Sequence, residues 1–217
     1  MLSDIDIKKP LIGMANKIPL LLLLIICLAG CGPTSVLVKG KYPRPLTHQI
    51  PLNVGLVYDE DFREHLHIDE TGLGVNLTIG PAQTELFNQV LNGMFSKTEI
   101  LQSLDDSQAR SVDLVIVPHV EEIQIAIPRD TKLEIFELWI KYNIQVYDSE
   151  GNPIADWIMT SYGKSMKQTF SSSKSGINEA AVIALRDTGA QLVTKFPRAP
   201  GVREWLLDRL QQTETRS

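Results

Sequence analysis

The stretch Leu133-Glu-Ile-Phe-Glu-Leu-Trp-Ile-Lys-Tyr-Asn-Ile-Gln-Val-Tyr-Asp-Ser-Glu-Gly-Asn-Pro-Ile-Ala-Asp-Trp-Ile-Met-Thr-Ser-Tyr162 decides the fold. Apolar and polar residues alternate from Leu133 to Tyr147 and again from Ile154 to Tyr162, the period of strands with one buried face. Between them, Asp148-Ser-Glu-Gly-Asn-Pro153 gathers turn-forming residues. The spacing predicts a long antiparallel hairpin. With its turn centred on Glu150, residues whose numbers sum to 300 oppose each other. Phe136, Leu138, Ile140, Tyr142, Ile144 and Val146 then share a core face with Ile154, Ile158 and Tyr162. The other face carries Ile135, Trp139, Lys141, Asn143, Gln145 and Tyr147 opposite Ala155, Trp157, Met159 and Ser161. Tryptophan and methionine among polar residues are enriched at protein interfaces. Trp139, Lys141, Tyr147, Trp157 and Met159 are therefore the expected partner-binding residues, for another protein or a second copy. The competing reading has a helix, or the C-terminal segment with Trp205, covering them as core.

Working outward, Asn53 to Tyr58 reads as a buried strand and Asp59 to Leu77 as a long acidic loop. Gly80-Pro81 opens a helix, since proline suits the first turn, and Leu86, Phe87, Val90, Leu91, Met94 and Phe95 recur at helical spacing. Val112 to Val117 is a second buried strand. Pro118 and Glu121-Glu122 interrupt it before Ile123, Ile125 and Ile127 resume alternation, which predicts a bend or bulge. Asn178 to Phe196 forms a second main helix after a Ser171–Gly176 loop. Val202 to Leu210 forms a last short helix, with Trp205 and Leu206 on one side. The order predicts an α+β fold, a mostly antiparallel sheet with a long hairpin backed by two main helices.

The amino terminus follows another logic. Lys8, Lys9 and Lys17 precede an apolar run from Ile18 to Ala29, about a dozen residues interrupted by Pro19, whereas a helix crossing a bilayer takes roughly twenty. The run reads as the core of an export signal. Leu28-Ala29-Gly30-Cys31 resembles the lipobox of bacterial lipoproteins, in which cleavage falls between Gly30 and Cys31 and the cysteine carries the acyl chains. The resemblance implies lipidation at Cys31 and a periplasmic body held on a membrane by that anchor. Gly32, in place of an aspartate, implies the outer membrane rather than the inner. Translation from Met1 or from Met14 leaves the same mature chain. The element order also resembles the periplasmic α/β domains of envelope lipoproteins such as penicillin-binding-protein activators and the curli-secretion lipoprotein.

The expected domains are a signal peptide over 1–30, a lipidated cysteine and tether over 31–51, an α+β domain over 52–197, and a C-terminal helix and tail over 198–217. The tether rests on Pro33, Pro43, Pro45 and Pro51 and would reach about 65 Å fully extended. Loss of the signal moves the net charge from -5 to -6, because three lysines and the acids Asp4 and Asp6 leave together. Such a balance disfavours nucleic acid, which needs a basic patch. Cys27 lies in the signal and Cys31 takes the lipid, so the domain folds without disulfides.

Catalytic candidates are weak. Ser161-Tyr-Gly-Lys164 and Ser171-Ser-Ser-Lys174 resemble the Ser-x-x-Lys element of penicillin-recognising enzymes, which needs the serine to open a helix. On a strand, the three-residue offset of the first pair puts Ser161 and Lys164 on opposite faces. His65 and His67, with Asp59, Glu60, Asp61 and Glu64, offer metal-ligand chemistry but read better as a solvated loop. His119 beside Glu121 and Glu122 lacks a nucleophile, and Gly72-Leu-Gly74 is only a fragment of a nucleotide loop. The expectation is a non-enzymatic accessory or scaffold of a cell-envelope assembly, partnered by another envelope protein or a second copy, without a cofactor or metal. The alternatives are a lipid or glycolipid transport auxiliary and a cell-wall hydrolase.

Overall fold

The computed structural model describes residues 33–70, 72, 74–131, 133–166 and 172–214. The expected signal peptide, the expected Gly30/Cys31 cleavage and lipidation site, the alternative starts and Ser171 lie outside the described residues.

Two sheets organise the domain. The larger runs β5-β2-β6-β7-β8, formed by β2 (Ile50–Val57), β5 (Phe95–Leu101), β6 (Leu114–Ala126), β7 (Ile135–Asp148) and β8 (Pro153–Met166). The smaller runs β1-β4-β3, formed by β1 (Thr34–Leu37), β3 (Leu66–His67) and β4 (Val75–Thr78). The fold is α+β, as the element order predicts, but the sheets are mixed. β2 pairs parallel with both β5 and β6, and β1 pairs parallel with β4. The parallel pairs arise because the chain returns through crossovers, which sequence alternation does not report. The first crossover carries α2 (Gly80–Met94), with Pro81 in its first turn as predicted, and the chain passes directly from Met94 into β5, a strand the sequence reading lacked.

Two expected irregular segments are folded. Residues 34–51 are not a tether, since β1 is hydrogen-bonded into the small sheet and Val36, Val38 and Tyr42 are buried. Of their prolines, Pro43 and Pro45 lie between strands, and Pro51 is the second residue of β2, where the pairing with β5 shifts register between Ile50 and Asn53. Likewise Asp59–Leu77 is not one loop. It holds the helical turn α1 (Glu60–Arg63) and strands β3 and β4, with Phe62, Val75 and Leu77 buried as internal anchors. Asp59 Oδ1 accepts the Phe62 N–H at 2.6 Å, an N-cap that lets so short a helix form.

The two long helices, α2 and α4 (Ser173–Lys195), pack over the core side of the larger sheet, and α5 (Val202–Glu214) closes the chain, contributing Val202 and Leu206 to the same core. A four-residue turn, α3 (Pro128–Thr131), links β6 to β7. α4 begins five residues before the predicted Asn178, because Ser172 Oγ caps it by accepting the Ser175 N–H at 3.3 Å. At the centre lies an aromatic cluster in which Tyr142 meets Phe87 at 5.6 Å and Phe62 at 6.4 Å. The fully buried Gln83 ties it together, donating to the Phe62 carbonyl at 2.6 Å and accepting from the Tyr142 hydroxyl at 3.0 Å. The predicted bulge in β6 is present, as a register shift between Val120 and Glu122 within one continuous strand.

The hairpin register departs from prediction by one residue. At the turn, Tyr147 pairs with Pro153, as a sum of 300 requires. A bulge then leaves Ile154 as an extra residue on β8, and from Val146↔Ala155 to Ile135↔Met166 the partners sum to 301. Because side chains alternate along a strand, one residue of slip moves every β8 side chain to the other face. Met159 and Ser161 are buried, whereas Ile158 and Tyr162 are exposed.

Candidate interaction surface

The corrected register separates the residues expected to form one binding face. Trp157 is half-buried on the core side, its ring 6.4 Å from that of Phe196, and Met159 is only 2% exposed. These two are core, as the competing reading had it, with the helical side of the sheet covering them. Tyr147 is half-buried against a small apolar cluster formed by Val57, Leu101, Ala109, Val112, Val115 and Val117. Trp139 and Lys141 remain on the side of the sheet away from α2 and α4.

That outer side gains residues the sequence reading had placed inside. Trp139 lies opposite Tyr162, their rings 5.1 Å apart and tilted by 37°. Ile158 is 46% exposed, and Met166, which lies beyond the predicted strand, is 70% exposed on the same side. The Tyr162 hydroxyl donates to Glu137 Oε1 at 2.6 Å, a bond that raises its pKa because the carboxylate favours the neutral phenol. Lys141 Nζ lies 2.7 Å from Glu121 Oε2, which holds the lysine charged to higher pH and the carboxylate charged to lower pH. A shallow hollow of about 230 Å³ opens here between Glu122, Gln124, Trp139, Lys141 and Thr160. The signal that could have found this face is the run Ser161, Gly163, Ser165. These small residues point at α4, where Ser161 Oγ and Thr188 Oγ1 are 2.6 Å apart and Ser165 Oγ donates to the Gly176 carbonyl at 2.7 Å. A Cβ at Gly163 would collide with the Ala180 carbonyl and the Ala184 N–H.

The remaining sequence candidates are dispersed. Ser161 is buried against α4 while Lys164 is exposed on the other face, and Lys174 lies exposed in the first turn of α4. His119 Nδ1 lies 3.1 Å from Asp59 Oδ2, not against Glu121 or Glu122, which engage Lys141 and Gln124 instead. His67 lies on β3 and His65 immediately precedes it, and partial burial lowers the pKa of both. Among the described residues, no three His, Cys, Asp or Glu side chains converge as metal ligands. No described helix is long and apolar enough to cross a membrane.

No family model matches the chain, and no curated protein matches its sequence. Solved structures share its layout only loosely. A Xanthomonas campestris protein of the DUF330 family is similar at 10% identity and a TM-score of 0.47, over 84% of this chain and 97% of that one. A minor lipoprotein from Acinetobacter baumannii gives 15% identity and 0.41, over 72% and 97%. A hypothetical protein from Chlamydia trachomatis gives 9% identity and 0.36, over 76% and 96%. Likeness at this level fixes neither a family nor a function.

Proposed function

We infer that this chain is a lipid-anchored, non-enzymatic accessory protein of a bacterial envelope, and that the outer face of β7 and β8 docks another envelope protein. The anchor rests on Leu28-Ala29-Gly30-Cys31, where each buried acyl methylene would contribute about 0.8 kcal/mol and two or more chains hold firmly. With β1 starting at Thr34, only Gly32 and Pro33 separate Cys31 from the first strand, so this spacer reaches about 10 Å rather than 65 Å. By the lipoprotein sorting pattern, Gly32 directs the anchor to the outer membrane. The observation that carries the docking role is the row of Ile158, Tyr162 and Met166 along β8, with Trp139 against Tyr162, on one sheet face, while both long helices lie on the other. Aromatic and methionine side chains beside an ion pair are the composition of an interface core with a polar rim.

A photo-crosslinking residue placed at Ile158 or Met166 in cells tests this reading, with Glu179 on the exposed side of α4 as the control position. A discrete adduct from the sheet positions alone, diminished when Cys31→Ala releases the protein from membranes, is the expected result. Absence of any sheet-face adduct while anchoring persists would sink the docking role, and a mature protein without fatty acid would sink the anchor.

A further inference from the structure

A second feature, distinct from the hairpin face, lies where the two sheets approach each other. β6 outruns its neighbour β2, pairing with it only from Leu114 to Ile116. Beyond that, one edge of β6 carries β7 and the other carries no strand among the described residues. β3 is the outer strand of the small sheet. The unpaired edge of β6 and the outer edge of β3 face each other across an open groove of about 800 Å³.

Backbone directions show what these edges offer. The Ile79 N–H donates to the His65 carbonyl, so His65 and His67 direct their backbone groups at β4, and Leu66 and Ile68 direct theirs outward into the groove. On β8, the Tyr162 N–H donates to Asp187 Oδ2 and the Thr160 carbonyl accepts from Gln191, so even-numbered residues there point away from β7. Following the ladder inward, Ser161 and Gly163 pair with Ile140 and Leu138, and Trp139 and Lys141 pair with Gln124 and Glu122. That leaves the N–H and C=O groups of Ile123 and Ile125 on the free edge. Each wall thus presents two residues at strand spacing, with donors and acceptors unused among the described residues.

We propose that this groove binds an extended segment of a partner protein, rich in lysine or arginine, which enters as a strand between β3 and β6 and joins the two sheets. A strand inserted there would pair at about 4.8 Å from a wall, and the Glu121–Ile125 stretch of β6 that lines the groove is five residues long. The charge selects the sign of the ligand. Glu70, Glu121 and Glu122 line the groove together with Asp69, whose carboxylate accepts the Gly74 N–H, and among the described residues no lysine or arginine lines it. Lys141 offsets Glu121 from outside the groove, which leaves the exposed Glu70 and Glu122 to set an acidic balance. The exposed side chains of Leu66 (49%) and Ile68 (58%) supply apolar contact for alternate residues of the ligand.

The test uses the purified chain and three fluorescein-labelled peptides: Lys-Val-Lys-Val-Lys-Val, its glutamate counterpart, and the lysine peptide N-methylated at alternate residues. Fluorescence anisotropy should show the lysine peptide binding at least tenfold more tightly than either control. Ile68→Pro, which removes one groove-facing N–H, should weaken it at least tenfold. Glu70→Lys with Glu122→Lys, both at exposed positions, should reverse the charge preference whether or not the proline variant folds. Equal binding of the N-methylated peptide, or an unchanged preference in the charge-reversed chain, overturns the proposal. So does the absence of saturable binding by the lysine peptide at millimolar concentration.

Discussion

Adjacent residues on β8 discriminate sharply between the observed hairpin register and a one-residue alternative. Met159 is 2% exposed and packs in the main core, so Met159→Ala should cost about 2–5 kcal/mol through lost transfer free energy and the cavity left behind. Ile158 is 46% exposed. Full burial of isoleucine is worth about 1.5–3 kcal/mol, so the part Ile158→Ala removes should cost less than about 1 kcal/mol. For a chain of this size each kcal/mol moves the melting temperature by about 2–4 °C. A 3 kcal/mol loss at Met159 then appears as about 6–12 °C, against a few degrees at Ile158. Urea unfolding of the two variants measures the difference directly. A larger loss at Ile158 than at Met159 would refute the register, and the docking face would have to be redrawn.

Tyr142→Phe removes the hydroxyl that Gln83 accepts and strands a buried amide oxygen, so it should cost about 1–3 kcal/mol in denaturant unfolding with little change in secondary structure. Gly163→Val forces α4 off β8 against its own backbone and should lower stability by several kcal/mol, whereas Lys164→Val, on the exposed side, should change it by about 0.5 kcal/mol or less. Partial burial, and in His65 also the charge of His67, lowers the pKa of both histidines below the ordinary 6.5. The unfolded chain then binds more protons than the folded one near that value, and this contribution to stability is present above pH 6.5 and is lost as pH falls. Replacing both histidines with glutamine should flatten the pH dependence of the melting temperature between pH 7 and 5; an unchanged slope would remove them as its source.

The hairpin was legible because its apolar residues alternate over a dozen positions on β7, and α2 because proline and helical spacing agree. The bulge in β6 was legible from Pro118 and the paired glutamates. The register of β8 was not. Its core-facing positions beyond Met159 are Ser161, Gly163 and Ser165, chosen for close approach of a helix rather than for hydrophobicity, so a hydrophobic template favours Ile158 and Tyr162 and inverts the strand. The small sheet was illegible for a related reason. Its strands are two to four residues long, too short for a period to emerge, and are fixed by partners far away in sequence. The groove between β3 and β6 could not be read at all, because an unused strand edge is a property of pairing and not of composition.

The folding of residues 34–37 also changes what the amino-terminal segment does. β1 is hydrogen-bonded to β4 over four residues, and β4 holds β3, one wall of the groove. A two-residue pairing such as β3 with β4 is marginal by itself, since isolated two-stranded ribbons are unstable in water. β1 supplies the third strand, and Val36 buries an apolar side chain beneath it. The strand that starts three residues after Cys31 therefore stabilises the edge that faces the groove. Deleting residues 34–37 while retaining Cys31 should loosen β3 and β4 and raise amide exchange at Leu77 and Ile79, while the hairpin residues Ile140 and Ile144 keep their protection. Equal loss of protection in both regions would show that β1 supports the whole domain and not the groove wall in particular.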